Sequence, residues 1–176
     1  MGLFILGAPQ AGWADQANSA PPPTQPVYEV TLTGYNAVPE QTDESPLTTA
    51  SGAYSNPETV AARSPDLADE LPFGTVIAVE PSATSTFNCG LALMQDRIGL
   101  RVIADSMNPR MRNKVDMLFD TEDSVVQWGR ERNLASALGF CRGVRIRVVG
   151  HIDIAKMPKN QSELAHMLGN AKLAVR

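Results

Sequence analysis

Two apolar runs, each with one aspartate and joined by a polar, basic turn, place the strongest constraint on the fold of this chain. The first run, 98–104, leads directly into Asp105, and the second, 114–119, contains Asp116. Apolar and polar residues alternate around Asp116, which predicts a half-buried strand whose carboxylate points away from the apolar face. Because the Asn-Pro pair at 108–109 marks a turn, we expect a hairpin-like return that brings the two acids near each other.

The two aspartates have two interpretations. Two carboxylates that face one site form an arrangement suited to chemistry. In the structural alternative, Asp105 caps the turn through its own backbone, and Asp116 pairs with one of the nearby cations, Arg110, Arg112 or Lys114. Spacing alone favours the structural alternative, because surface ion pairs are common and contribute little stability.

Other segments also have the pattern of strands. Segments 27–35, 75–79 and 144–149 alternate and are rich in β-branched or aromatic residues, and the last of them places Arg145 and Arg147 on one face. The chain contains 13 Pro and 13 Gly, which indicates many turns between short elements. Because strands and helices do not alternate regularly, the sequence predicts a small β-barrel and not a doubly wound sheet.

Helices are predicted at three places. The main helix is expected over 121–134, with Thr121 as its N-cap, acids in its first turn and arginines in its last. Trp128 in this helix is expected to pack in the core. A single helical turn is predicted at 66–71, and a weak amphipathic helix over 161–173.

Length and charge limit the class of protein. The chain of 176 residues is long enough for one domain with a sizeable core and too short for two ordinary domains. We expect that domain over 27–150, followed by a tail at 151–176. The net charge of −4, without a basic stripe interleaved with aromatic residues, argues against a nucleic-acid partner.

The N-terminal segment, 1–26, has the pattern of an exported protein. A short apolar run is followed by small residues at 11–14 and three prolines at 21–23, which resembles the end of a secretory signal and a linker. The segment lacks a basic region, so the true start lies upstream or the run is a disordered tail. No stretch approaches the ~20 apolar residues of a membrane span. We therefore expect export and no membrane span.

The two cysteines, Cys89 and Cys141, have no further Cys or His at ligand spacing, so no zinc site is predicted. No metal or other cofactor is expected. The pair forms either one disulfide or two buried thiols. In the oxidising compartment that the N-terminal segment suggests, the disulfide is the expectation.

Several short motifs occur in a characteristic order. They are an acid-Ser-Pro turn before Thr-Ala-Ser-Gly at 49–52, Leu-Pro-Phe-Gly-Thr at 71–75, Asp-Ser-Met-Asn-Pro-Arg at 105–110, Asn-Lys-Val-Asp at 113–116 and Trp-Gly at 128–129. With this order the chain resembles the 3D domain, named for its three aspartates, whose members are similar to the catalytic barrel of membrane-bound lytic transglycosylase A. The resemblance spans roughly residues 28–149, and the spacing of Asp105 and Asp116 is its most specific part.

The resemblance implies a mainly β fold, a small six-stranded double-psi β-barrel with one or two short helices, in the periplasm or cell envelope. It implies a peptidoglycan lytic transglycosylase that cleaves the bond between N-acetylmuramic acid and N-acetylglucosamine to give 1,6-anhydro-muropeptides. Asp116 matches the aspartate proposed as general acid/base in that family, and Asp105 matches its supporting acid. The residues expected to bind the glycan strand are Thr49, Ser51, Gly52, Asn108, Arg110 and Lys114.

The chain departs from the family pattern at the first aspartate. Many members carry Asp-Pro before the turn that matches 71–75, whereas this chain has Ala-Ala-Arg at 61–63 and then an acidic insertion. Asp43 occupies a position at which a branch of the family carries an acid, so it is the expected third catalytic residue. Asp66 and Asp69 are weaker substitutes. The missing aspartate leaves a noncatalytic peptidoglycan-binding or accessory barrel as the alternative.

Overall fold

A closed barrel of six strands forms the body of the fold, which the computed structural model describes over residues 25–80 and 89–169. The strands of these residues are β1 (Val27–Asn36), β2 (Val60–Arg63), β3 (Thr75–Val79), β4 (Leu100–Ser106), β5 (Lys114–Phe119), β6 (Ser124–Gln127), β7 (Arg130–Asn133) and β8 (Cys141–His151). Around the barrel the order is β1, β5, β2, β4, β3, β8, and β6 and β7 form a separate hairpin. The predicted small, mainly β, six-stranded barrel is confirmed.

The barrel combines parallel and antiparallel pairs. β1 pairs with β5, and β2 with β4, in parallel, whereas the other four pairs are antiparallel. In the described part of the chain, three short helices accompany the strands: α1 (Leu91–Ile98), α2 (Leu134–Leu138) and α3 (Gln161–Met167). The same residues include two 3₁₀ turns, Pro65–Leu67 and Ile154–Lys156. The first of them lies where a helical turn was predicted at 66–71.

Apolar residues fill both the barrel interior and parts of its outer face. The main core holds inward residues of the strands together with α1 and α2, among them Leu32, Ile77, Ile103, Met117 and Leu138. A second cluster lies under α3 and contains Val76, Val102 and Leu164. A third, the outer-face cluster, consists of Tyr35, Val60, Ala62, Ala104 and Leu118. Successive residues of a strand belong in turn to the main core and to an outer cluster, so the face to which each strand residue points is known.

Several strand predictions are confirmed. β3 and β5 have the predicted bounds, and the segments 27–35 and 144–149 lie within β1 and β8. Arg145 and Arg147 do share a face, because both contact Glu80, with N–O distances of 3.3 and 3.5 Å.

The predicted strand over 98–104 was partly wrong. Ile98 ends α1, and β4 begins only at Leu100. Gly99 separates the two elements with a φ of 57°, a conformation that glycine adopts at little cost. The apolar run therefore spans a helix end and a strand start, and its composition alone did not distinguish them.

The predicted helix over 121–134 was wrong, because β6 and β7 form an antiparallel hairpin there. Trp128 and Gly129 are its turn residues, with φ values of 53° and 73°, as in the type I′ turns that favour hairpins. Trp128 is 74% exposed, so its expected place in the core was wrong as well. The acids and arginines that were assigned to the two ends of a helix lie before and after this turn. A helix cap forms at Asn133, whose side chain accepts the Ala135 N–H at the start of α2.

The cysteines and the chain ends complete the comparison. Cys89 and Cys141 form a disulfide with a Cα–Cα distance of 4.7 Å, so this prediction is confirmed. The signal-like residues 1–24 lie outside the described residues, as does the end of the helix predicted over 161–173. None of the helices in the described part is long and apolar enough to cross a membrane.

Candidate functional site

The two central aspartates lie in one row across the outer face of the barrel. The strand register pairs Thr33 with Asp116, Asp116 with Ala62, and Ala62 with Asp105. Because neighbouring strands are about 4.8 Å apart, the backbones of the two aspartates are about 10 Å apart. Ala62 lies between them, and its small side chain is buried in the outer-face cluster together with Tyr35. We call Thr33, Asp116, Ala62 and Asp105 the acid row.

A β-bulge in β4 brings Asp105 into this row. Ile103 points into the barrel, so strict alternation would turn Asp105 inward as well. Instead the register advances from Ala61 opposite Ile103 to Ala62 opposite Asp105, with Ala104 as the extra residue. A bulge of this kind re-aims the following side chain, and it places Asp105 on the face of Ala62 and Asp116.

Asp105 is held by three hydrogen bonds. The Tyr35 hydroxyl donates to its Oδ2 at 3.0 Å, and the backbone N–H groups of Ala50 and Ser106 donate to its Oδ1 at 2.8 Å each. Burial, and then the charge of Asp105, raise the pKa of Tyr35 well above its ordinary value, so Tyr35 remains a donor. Asp105 therefore accepts hydrogen bonds from its neighbouring backbone, as in the structural alternative. Its bond to Ala50 also holds the loop at 49–52 beside the acid row.

Asp116 has a different environment. Its side chain is half-buried, and among the described residues its buried Oδ1 has no hydrogen-bond partner. Burial raises the pKa of Asp116 to about 6, although a hydrogen bond from Thr33 and the charge of Lys114 lower it, and the charge of Asp105 adds a small increase. The protonated and ionised forms are thus both populated near neutral pH.

Nearby cations do not neutralise the acids in the described structure. Within residues 25–80 and 89–169, neither aspartate takes part in a salt bridge. Arg112 donates to the carbonyl oxygens of Pro109 and Met111, and the ammonium group of Lys114 lies 5.5 Å from the centroid of the Phe140 ring. The cation that is closest in sequence is thus directed toward an aromatic ring.

The loop at 49–52 lies where glycan-binding residues were predicted. The hydroxyls of Thr49 and Ser51 are 3.0 Å apart, and the Ser51 N–H donates to the carbonyl of Ala104, the bulge residue. Gly52 has a φ of 84° and closes the turn onto Thr49. Together with the Ala50–Asp105 bond, these contacts place Thr49, Ser51 and Gly52 at the Asp105 end of the acid row.

Other predicted residues serve turns of their own. Asp43 is exposed, and its carboxylate accepts the Ser45 N–H at 2.7 Å in an Asx turn. Asn108 accepts the Arg110 N–H at 3.0 Å, which closes the basic turn and leaves Arg110 exposed. Asp66 accepts the Asn113 N–H at 2.9 Å. These contacts connect none of the four to the acid row.

Sequence reasoning missed Thr33 and Tyr35 as members of the site. Alternation in β1 places both on one face, and that pattern is visible in the sequence. Their contact with the acids depends on the parallel pairing of β1 with β5, which joins strands distant along the chain and has no local sequence signal.

The described residues contain no group of three or more His, Cys, Asp and Glu side chains that could hold a metal ion. No model of a known protein family matches the chain, and a search of curated proteins finds no similar sequence.

Proposed function

We propose that this protein is a peptidoglycan lytic transglycosylase that cleaves the bond between N-acetylmuramic acid and N-acetylglucosamine, with Asp116 as general acid and base. One observation carries the proposal: a half-buried carboxyl with a raised pKa, held on a rigid strand in one row with Asp105. General acids are effective when their pKa lies near the working pH, and a value of about 6 meets this condition. The resemblance of the motif order to the 3D domain indicates the substrate class.

The reaction needs a single proton carrier. Protonated Asp116 gives its proton to the glycosidic oxygen as the bond from that oxygen to the anomeric carbon of the muramic acid breaks. The 6-hydroxyl oxygen of the same sugar then bonds to the anomeric carbon, and the Asp116 carboxylate takes the hydroxyl proton. The intramolecular attack closes the 1,6-anhydro ring without water, and Asp116 returns to its protonated form.

The supporting residues have separate tasks in this proposal. Asp105 adds negative charge that raises the pKa of Asp116, and its bonds to Tyr35 and Ala50 hold one end of the row in place. Thr33 pairs with Asp116 in the strand register, and its hydroxyl lowers the pKa of that carboxyl. Asp105 thus positions the site, while Asp116 transfers the proton.

Export to the periplasm or cell envelope agrees with this substrate. A disulfide between Cys89 and Cys141 is typical of oxidising compartments, and the N-terminal segment resembles the end of a secretory signal. Peptidoglycan glycan strands are the proposed partner.

A noncatalytic peptidoglycan-binding barrel is the second candidate. It is favoured by the placement of Asp43, the expected third catalytic acid, whose carboxylate caps its own exposed turn. It is also favoured by Asp105, whose three hydrogen bonds give it a structural task.

The products of digestion distinguish the two candidates. Purified sacculi are incubated with the protein at pH 5 to 6, and the released fragments are analysed by mass spectrometry. A transglycosylase releases fragments whose muramic acid end is one water lighter than a reducing end, because the ring closes internally. Fragments with ordinary reducing ends, or no release by a protein that still binds the sacculi, would contradict the proposal.

A further inference from the structure

Phe140 is a large aromatic residue that the proposed mechanism does not use. It is 58% exposed and lies immediately before β8. Its neighbour Cys141 points into the main core and pairs with Leu32 of β1. Because successive residues of a strand point to opposite faces, Phe140 is directed to the outer face of the barrel, where the acid row lies.

The strand register places Phe140 at the end of the acid row. The antiparallel pairing of Leu32 with Cys141, continued by one residue, brings Phe140 beside Thr33, and Thr33 pairs with Asp116. The backbones of Phe140 and Asp116 are therefore about 10 Å apart, two strand spacings. Lys114 lies two residues before Asp116 in β5, and its ammonium group is 5.5 Å from the Phe140 ring centroid. The contact joins a side chain of β5 to the residue before β8, across β1, which lies between those two strands.

The backbone around Phe140 is held on both sides. Cys141 is joined to Cys89 by the disulfide, and Gly139 forms an isolated β-bridge with Cys89. The backbone that carries the ring is therefore held by a covalent bridge, and a rigid backbone lowers the entropic cost of binding a ligand.

We propose that Phe140 is a platform on which one sugar ring of the peptidoglycan glycan strand stacks, with Lys114 donating hydrogen bonds to the ring substituents. This inference rests on the proposed function and names a subsite next to Asp116. The C–H faces of a pyranose are apolar and match the face of an aromatic ring, while its edges carry hydroxyls and amides. A single exposed aromatic residue beside Lys114 offers both kinds of contact, whereas a protein partner would use a larger apolar patch.

The inference is tested by binding in the Asp116→Asn background, so that cleavage does not interfere. The probe is a set of soluble glycan oligomers of N-acetylglucosamine and N-acetylmuramic acid, prepared from sacculi after removal of the stem peptides. Phe140→Ala and Phe140→Leu are compared with Phe140→Trp by isothermal titration calorimetry. Trp128→Ala is the matched control, because Trp128 is an exposed aromatic residue on the β6–β7 turn.

Loss of the ring is expected to weaken binding about 5- to 10-fold in the Ala and Leu variants, because aromatic contacts have this magnitude. Phe140→Trp is expected to retain the affinity, and Trp128→Ala to leave it unchanged. Circular dichroism checks that each variant is folded. Equal affinity of Phe140→Ala, Phe140→Leu and the parent protein would overturn the inference, as would a parent that binds no oligomer.

The two proposals fail in different ways. If the wild-type protein releases no anhydro fragments but glycan affinity still falls in the Phe140 variants, the lytic function is wrong and the subsite stands on a binding barrel. If anhydro fragments are released while the Phe140 variants bind and cleave normally, the subsite is wrong and the lytic function stands.

Discussion

Burial of the Asp116 carboxyl links the protonation of this residue to the stability of the fold. Its pKa is raised from an ordinary value of 3.8 to about 6, so the folded protein binds a proton more tightly than the unfolded chain. Between these two pH values the folded state carries more protons, and the free energy of unfolding therefore falls as the pH rises. Above about pH 6 the ionised, half-buried carboxylate continues to cost stability.

Asp116→Asn removes this titration. We expect the free energy of unfolding of the variant, relative to that of the wild-type protein, to increase by about 1–3 kcal/mol between pH 4 and pH 8. Urea unfolding of both proteins at the two pH values measures the change, and other carboxyl groups cancel in the comparison. A stability difference that is the same at pH 4 and pH 8 would contradict the raised pKa.

The sequence predicted the position of Asp116 correctly and that of Asp105 only in part. The alternation around Asp116 predicted its strand and its face correctly, because period-two patterning is a local property. Asp105 was expected near Asp116 through a hairpin. In the structure, β4 and β5 are not neighbours, and β2 lies between them. Ala104, which turns Asp105 outward, has no feature in the sequence that marks a bulge.

At the scale of the element, β2 and the β6–β7 hairpin were not predicted. β2 is only four residues long, and Val60–Arg63 follows a polar segment, so no alternation could develop. The hairpin resembled a helix because its acids precede its arginines. Trp128 has a positive φ, at a turn position where Asn or Gly is favoured. Because Trp is unusual there, the sequence did not indicate the turn.

Trp128→Asn tests the hairpin. A non-glycine residue in the left-handed region costs about 1–2 kcal/mol, whereas the exposed contact of Trp128 with Arg132, at 5.6 Å, contributes about 0.5–1 kcal/mol. Because Asn tolerates this conformation, we expect a net gain of about 0.5–1 kcal/mol in the free energy of unfolding.

Trp128→Ala is the control for that substitution. Alanine loses the contact with Arg132 and keeps the unfavourable φ, so the variant is expected to be less stable than the wild-type protein. Thermal unfolding of the two variants orders them. If Trp128→Ala were more stable than Trp128→Asn, the residues would not form the turn described above.

At the scale of the whole molecule, the acid row depends on contacts between distant parts of the chain. Thr33, Ala62, Asp105 and Asp116 lie on four different strands, and two of the three pairings that align them are parallel. Short strand-patterned segments between turns, without regular alternation of strands and helices, were sufficient to predict a small barrel, since this arrangement is visible along the chain. The order of the strands determines which residues meet, and it follows from the packing of the complete barrel.

The disulfide belongs to the same scale. It joins residues separated by 52 positions and connects the start of β8 with the segment before α1. The sequence allowed this pairing because only two cysteines are present. The sequence did not indicate that the disulfide holds the backbone next to Phe140. The position of Phe140 at the end of the acid row follows from the register of β8 with β1.

The central claim is that Asp116 transfers the proton, and the initial rate of anhydro-muropeptide release from sacculi tests it most directly. Asp116→Asn is nearly isosteric and is expected to lower this rate at least ~100-fold while the protein remains folded. Asp105→Asn is expected to lower it less, and Asp96→Asn, the same change on the exposed face of α1, to leave it unchanged. Release of anhydro-muropeptides by folded Asp116→Asn at the wild-type rate would contradict the account.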